Sequence, residues 1–137
     1  MRIALLAVPG SMKSALSGLS DMFWLANQVV EQNPALRHRD VGNEPGFSAH
    51  IVTADGQPVI DAQGRQIESE GSFESDKYAL IIASGMHLDK EKYPLSKAAI
   101  TDAARWVKAQ HQQGCAVAGA CAGGFVLAEA GLLNGRM

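Results

Sequence analysis

Cys115-Ala116-Val117-Ala118-Gly119-Ala120-Cys121-Ala122-Gly123-Gly124 is the stretch whose reading decides the fold. Its first six residues are small and uncharged, as in a strand that packs closely against its neighbours. Cys121 follows, and two glycines open a helical run from Phe125 to Ala130 that Gly131 closes. A turn this tight crowds the side chains two positions either side of its apex. Gly119 and Gly123 stand at those positions and carry none. A strand, a sharp elbow and a helix form one unit of a sheet whose strands run in the same direction.

Working outward, the same alternation recurs. Tyr78-Ala79-Leu80-Ile81-Ile82-Ala83 is the strongest strand and ends at Ser84-Gly85. Residues 96–112 are predicted as an amphipathic helix, with Ser96 as its cap and Ala99, Ile100, Ala103, Trp106 and Val107 on one face. Gly114 ends it. Near the N-terminus, Arg2 to Val8 is an almost continuous apolar run stopped by Pro9-Gly10, the pattern of a strand buried on both faces. From Leu19 to Val30 the apolar spacing predicts a helix, capped by Ser17 or Ser20, with Asp21 in its first turn and Asn33-Pro34 as its stop. Phe23, Trp24 and Trp106 are assigned to the core. Residues 37–46 read as an exposed loop, and Phe47 to Ala54 alternates as a strand does. Asp55-Gly56 and Gln63-Gly64 mark a small hairpin or edge excursion. The prediction is an α/β domain with a parallel sheet between helices. Nothing after residue 131 reads as a further element to cover the last strand's edge. The chain is therefore expected to be a single domain, 1–137, truncated at the C-terminal side.

Composition limits the function classes. Of 137 residues, 47% are hydrophobic and 19% charged, an ordinary globular balance. Twelve Lys and Arg against fourteen Asp and Glu leave a net charge of −2. A module that grips nucleic acid by itself carries a basic stripe, and none stands out. The longest apolar run is far shorter than the ~20 residues of a membrane-spanning helix. Cys115 and Cys121 lack metal-ligand spacing, so no metal and no cofactor is expected. With two unpaired thiols and no membrane span, the expected location is the cytoplasm.

The chemistry centres on Cys121. A Gly-x-Cys-x-Gly elbow is the Gly-x-Ser-x-Gly arrangement of hydrolases with sulfur in place of oxygen. It predicts strained backbone at Cys121, a thiol favoured as thiolate by a helix start, and an Ala122 N–H able to face an oxyanion. The loop Ser84-Gly85-Met86-His87 should lie at the same carboxyl edge, with Gly85 and Met86 as ligand contacts and a second N–H for the pocket. His87 reads as a solvated side chain, as do His38 and His50. His111 suits a helix end. None is tied to Cys121 by a motif. Cys115 is expected to be inert at the head of a buried strand.

The segment from Gly119 through Phe125-Val-Leu-Ala-Glu-Ala-Gly-Leu-Leu-Asn-Gly to Arg136 closely resembles the elbow of ThiJ/PfpI domains, the class I glutamine-amidotransferase-like sensors of AraC-type regulators. Val8-Pro9-Gly10 agrees, as does Gly18-Leu19-Ser20-Asp21-Met22-Phe23-Trp24-Leu25-Ala26-Asn27, similar to that family's Gly-x-x-Asp-x-Phe-x-x-Ala-Asn helix. The resemblance implies a flavodoxin-like three-layer sandwich, a small-molecule effector bound near Cys121, a homodimer, and DNA contacts made through a C-terminal helix-turn-helix pair absent from these 137 residues. It also implies a histidine beyond Met137 as partner to the cysteine. In catalytic relatives a glutamate polarises the cysteine. By the resemblance it falls near Ser14 or Ala15, and neither carries a carboxyl. A non-catalytic sensor is therefore the leading expectation. The alternative is a cysteine-dependent enzyme, a hydratase, deglycase or amidase-like protein, with Cys121 as nucleophile.

Overall fold

The N-terminal apolar run becomes β1 (Arg2–Leu6), the middle strand of a five-stranded sheet in the computed structural model, which describes residues 1–33, 35 and 46–135. Alternate side chains of a central strand need an apolar layer on each side, and Ile3, Ala4 and Leu5 are completely buried. The other sheet strands are β2 (Ser48–Thr53), β5 (Gly71–Ser72), β6 (Leu80–Ala83) and β7 (Ala116–Gly119), in the order β5-β2-β1-β6-β7. Every pairing in this sheet is parallel. With β5 set aside, this is the flavodoxin order, and β1 and β6 flank its switch point. A separate antiparallel pair, β3 (Val59–Ile60) with β4 (Gln66–Ile67), is the hairpin predicted from the two Gly turns.

Two cores lie on the two faces. Ile3, Leu5, Ile67 and Ile82 gather with Leu16 of α1 (Lys13–Gln32). Ala4, Leu6, Ile81 and Ala83 gather with Ile100 and Val107 of α2 (Lys97–Gln112) and Val126 and Leu127 of α3 (Gly124–Glu129). Each fully buried aliphatic side chain contributes about 1.5–3 kcal/mol, so the sandwich is held from both sides. Ser96 caps α2 as predicted, its Oγ accepting from the Ala99 N–H. Trp106 stacks on Phe73 with centroids 4.3 Å apart and meets Tyr78 edge-on.

The structure corrects three sequence expectations. First, α1 starts at Lys13, ahead of Ser17 and Ser20, and its N-cap Met12 makes no side-chain cap bond. Second, Trp24 is 60% exposed and outside the core, along with Met22, Leu25 and Val29. The helix is apolar on two sides, and only the side bearing Leu16, Leu19 and Phe23 meets the sheet. Third, Cys115 is buried, but the strand after it is not. Among the described residues β7 pairs only with β6, and Ala116, Ala118 and Gly119 are exposed. The loop predicted at 37–46 lies outside the described residues apart from Gly46.

Asn27, the last residue of the Asp-x-Phe-x-x-Ala-Asn pattern, has a structural role. Its amide donates to the Phe47 carbonyl and accepts from the Phe47 N–H, both at 2.7 Å. Phe23 packs on the Phe47 ring at 5.3 Å. Together they pin α1 to the start of β2. No helix among the described residues is long and apolar enough to cross a membrane.

Candidate functional site

Three chain segments converge at the carboxyl edge beside the switch point. After β1, Gly10 to Met12 turns into α1. After β6, Ser84 to His87 runs antiparallel to that turn. The Met12 N–H donates to the Gly85 carbonyl at 2.9 Å, the His87 N–H donates to the Gly10 carbonyl at 2.8 Å, and Ser11 bridges Met86. After β7 comes a single 3-10 turn, Cys121–Gly123, which leads directly into α3. Register places the ends of β6 and β7 side by side, with Ala83 opposite Gly119. The Ala120 N–H continues the ladder to the Ala83 carbonyl at 2.9 Å.

The glycines act as the elbow pattern requires. A Cβ on Gly123 would lie 1.9 Å from the Ala83 carbonyl oxygen, so the elbow rests directly on the backbone of β6. A Cβ on Gly119 would meet Leu127 Cδ1 at 2.7 Å. Cys121 has φ +51°, a left-handed conformation unusual for a residue with a side chain, and its thiol is exposed. A relaxed βα turn would have no reason to hold it there.

Gly85 is the meeting point. A Cβ there would touch Cys121 Cβ at 3.9 Å, Met12 Cγ at 3.8 Å and Ala15 Cβ at 4.0 Å. The N–H groups of Gly85 and Ala122 make no hydrogen bond within the described residues. The Ser84 hydroxyl is buried, also without a partner there. The site therefore presents an exposed thiol and two free backbone donors. Met12 and Ala15 bound it where the first turn of α1 begins.

Of the predicted site residues, Cys121, Ala122 and Gly85 come together. Met86 differs, because its side chain is buried in the core under α2 and only its backbone faces the turn. Ser14 is exposed, and Ala15, half-buried beside Gly85, is the residue that faces the site. Met12, Ala15 and Ser84 were not singled out from sequence as contacts. Ser84 carried the available signal, a hydroxyl at the carboxyl end of the strongest strand. His87 is exposed, His50 pairs with the Ser48 hydroxyl at 2.8 Å, and His111 Nδ1 lies 3.1 Å from the Cys115 carbonyl. His38 lies outside the described residues. Burial pushes the Cys115 thiol above its ordinary range, and its Sγ donates to the Ala116 carbonyl at 3.3 Å. Among the described residues, no three His, Cys, Asp or Glu side chains gather as a metal cluster.

One carboxylate is held by a built network. Burial raises the Asp61 carboxyl, but the Arg65 and Gln63 N–H groups and the Arg65 guanidinium outweigh it and hold the group below its usual range. This clamps the β3–β4 turn. The hairpin in turn grips the site's border, with the Gly10 N–H on the Ile60 carbonyl and the Ala62 N–H on the Ser11 carbonyl.

A profile of the DJ-1/PfpI family matches residues 22–137. The chain belongs to the DJ-1/PfpI family. Among curated proteins, the HTH-type transcriptional regulator CdhR of Pseudomonas aeruginosa is 36% identical over 90 residues, which cover 64% of this chain and 24% of that protein. The chain thus spans about a quarter of the length of that relative. Among solved structures, a DJ-1 superfamily protein from Agrobacterium tumefaciens superposes with a TM-score of 0.61 at 20% identity, covering 98% of this chain and 61% of that one. An AraC family transcriptional regulator from Pseudomonas putida gives 0.65 at 15% identity, covering 97% and 72%. These two likenesses show that the DJ-1/PfpI fold extends over nearly the whole chain.

Proposed function

We propose that this DJ-1/PfpI domain is the ligand-sensing and dimerisation part of an AraC-type transcription regulator. It binds a small metabolite beside Cys121 without transforming it. It acts in the cytoplasm as a homodimer, and a helix-turn-helix pair C-terminal to residue 137 makes the DNA contacts. The observation that carries the reading is Ala15. It stands against Gly85 next to Cys121, and it is, with Ser14, one of the two positions near which the resemblance puts the polarising carboxyl of catalytic relatives. A methyl group cannot move a proton, and general acid–base help is typically worth ~100- to 10,000-fold in rate. The binding features remain, since Gly85 and Ala122 offer unused backbone donors beside an exposed thiol. The likeness to CdhR, an HTH-type regulator, supports the regulatory setting.

A second reading has its own support. The left-handed Cys121 backbone is the strain that a nucleophile elbow stores, and it favours an enzyme of the hydratase, deglycase or amidase type. Turnover of glyoxal-type and isonitrile substrates by the full-length protein separates the two. The sensor reading expects background rates unchanged by Cys121→Ala. Robust turnover that Cys121→Ala abolishes would establish the enzyme and end the sensor reading.

A further inference from the structure

Away from the elbow, α2 and α3 pack side by side and leave a groove along their outer seam. Two cavities lie end to end in it. One, of about 320 Å³, is walled by Tyr93, Pro94, Ile100 and Phe125, with Lys97 and Glu129 at its edge. The next, of about 230 Å³, shares Thr101 and Glu129 with the first and continues along Arg105 and Lys108. Neither touches Cys121, Gly85 or Ser84.

The walls differ in character. At the first end the lining is apolar and aromatic, and Tyr93 is half exposed, with Lys97 Nζ 5.9 Å from its ring centroid. Along the α2 wall, Lys97, Thr101, Arg105 and Lys108 recur at helical spacing on one face. They span about 16 Å of helix axis. Three of the four are cations, on a chain whose net charge is −2. Asp102 offsets Arg105 only weakly, at 3.8 Å and in solvent. The α3 wall contributes one charge, Glu129.

We propose that the α2–α3 groove is a docking surface for an acidic, amphipathic peptide segment of a protein partner. An apolar or aromatic side chain enters between Tyr93, Ile100 and Phe125, and the carboxylates that follow lie along Lys97, Arg105 and Lys108. Shape and charge both favour a segment over a compact metabolite. The two cavities together are elongated, and their cations are spread along a line. Charge complementarity of this kind sets register and partner choice more than raw affinity. Glu129 in the groove, and more weakly Asp102 beside Arg105, oppose such a partner.

The test uses the 137-residue chain and two labelled hexapeptides, Phe-Glu-Glu-Leu-Glu-Glu and Phe-Lys-Lys-Leu-Lys-Lys, read by fluorescence anisotropy. The acidic peptide should bind saturably and more weakly as salt rises, and the basic one should not bind. The double variant Lys97→Glu with Arg105→Glu should weaken binding at least about tenfold. Glu129→Lys should strengthen it. All three residues are exposed, so circular dichroism should show unchanged folding. Equal binding of both peptides, no saturable binding, or a Glu129→Lys variant that binds no better would overturn the proposal. Equally tight binding of a single-stranded oligonucleotide would also overturn it, since that would show a general anion surface.

Discussion

Gly123→Ala tests whether the elbow rests on β6 as described. The added methyl would lie 1.9 Å from the Ala83 carbonyl oxygen, 2.4 Å from its carbon and 2.9 Å from the Ser84 nitrogen. Ordinary contact begins at 3.4 Å, so one backbone must retreat by about 1.5 Å, the difference between the first and last of these distances. All three atoms are main chain, so no side chain can swing aside. Overpacking of this kind costs about 1–3 kcal/mol. The same retreat pulls on the hydrogen bond from Ala120 to Ala83, worth about 1 kcal/mol. The expected loss is therefore about 2–4 kcal/mol, which at a urea slope of about 1.5 kcal/mol per molar lowers the midpoint by about 1.3–2.7 M. Gly124→Ala is the control. Gly124 has φ −57° and nothing within 4 Å of an added Cβ. Its midpoint should stay within about 0.3 M of the parent, in line with the small effect of unstrained surface changes. Equal midpoints for Gly123→Ala and Gly124→Ala would refute the close approach, and with it the geometry assigned to Cys121.

Three further outcomes follow from the structure. Iodoacetamide should modify Cys121 faster than Cys115, by about tenfold or more, because only the thiolate attacks and Cys115 is buried with its thiol pushed up. Faster labelling of Cys115, mapped by mass spectrometry, would contradict the elbow. Asp61→Asn should lower thermal stability at pH 7. The folded carboxyl titrates below the ordinary 3.8, so its contribution is present above the unfolded value and disappears as pH falls through the folded one. The melting-temperature gap between parent and variant should close in acid, and a gap that widens there would reverse the assignment. Iodide should quench Trp24, at 60% exposure, and leave Trp106, at 8%, largely untouched. Single-tryptophan variants read this directly, and protection of Trp24 would mean that the outer face of α1 is covered in solution.

How much of this was legible in the sequence depended on whether a local rule had one outcome. Ser84-Gly85 after an apolar strand and Gly-x-Cys-x-Gly before a helix permit few geometries, and both were placed correctly at the carboxyl edge. Ser96 had one helix to cap and capped it. The start of α1 failed because Ser17 and Ser20 are good caps that the chain does not use. The helix begins at Lys13, with Leu16 buried under its first turn and Met12 as a cap lacking a polar side chain. Trp24 failed for a related reason. Periodicity shows that a helix has an apolar face, but α1 has two, and the sheet covers only one of them. β5 spans two residues, too short for any alternation to show, and exists only because β2 offers it an edge. The site was split along the same line. Cys121, Ala122 and Gly85 belong to motifs, so their meeting could be foreseen. Met12 and Ala15 meet them through tertiary packing, which sets the Ala15 methyl group beside Gly85. The resemblance already points to Ser14 or Ala15, and what the fold adds is the contact of Ala15 with Gly85. Ala15→Glu is the change that would put it to work: it should restore a proton-carrying group at the site, and a gain of turnover from it would show that the rest of the catalytic geometry was already in place.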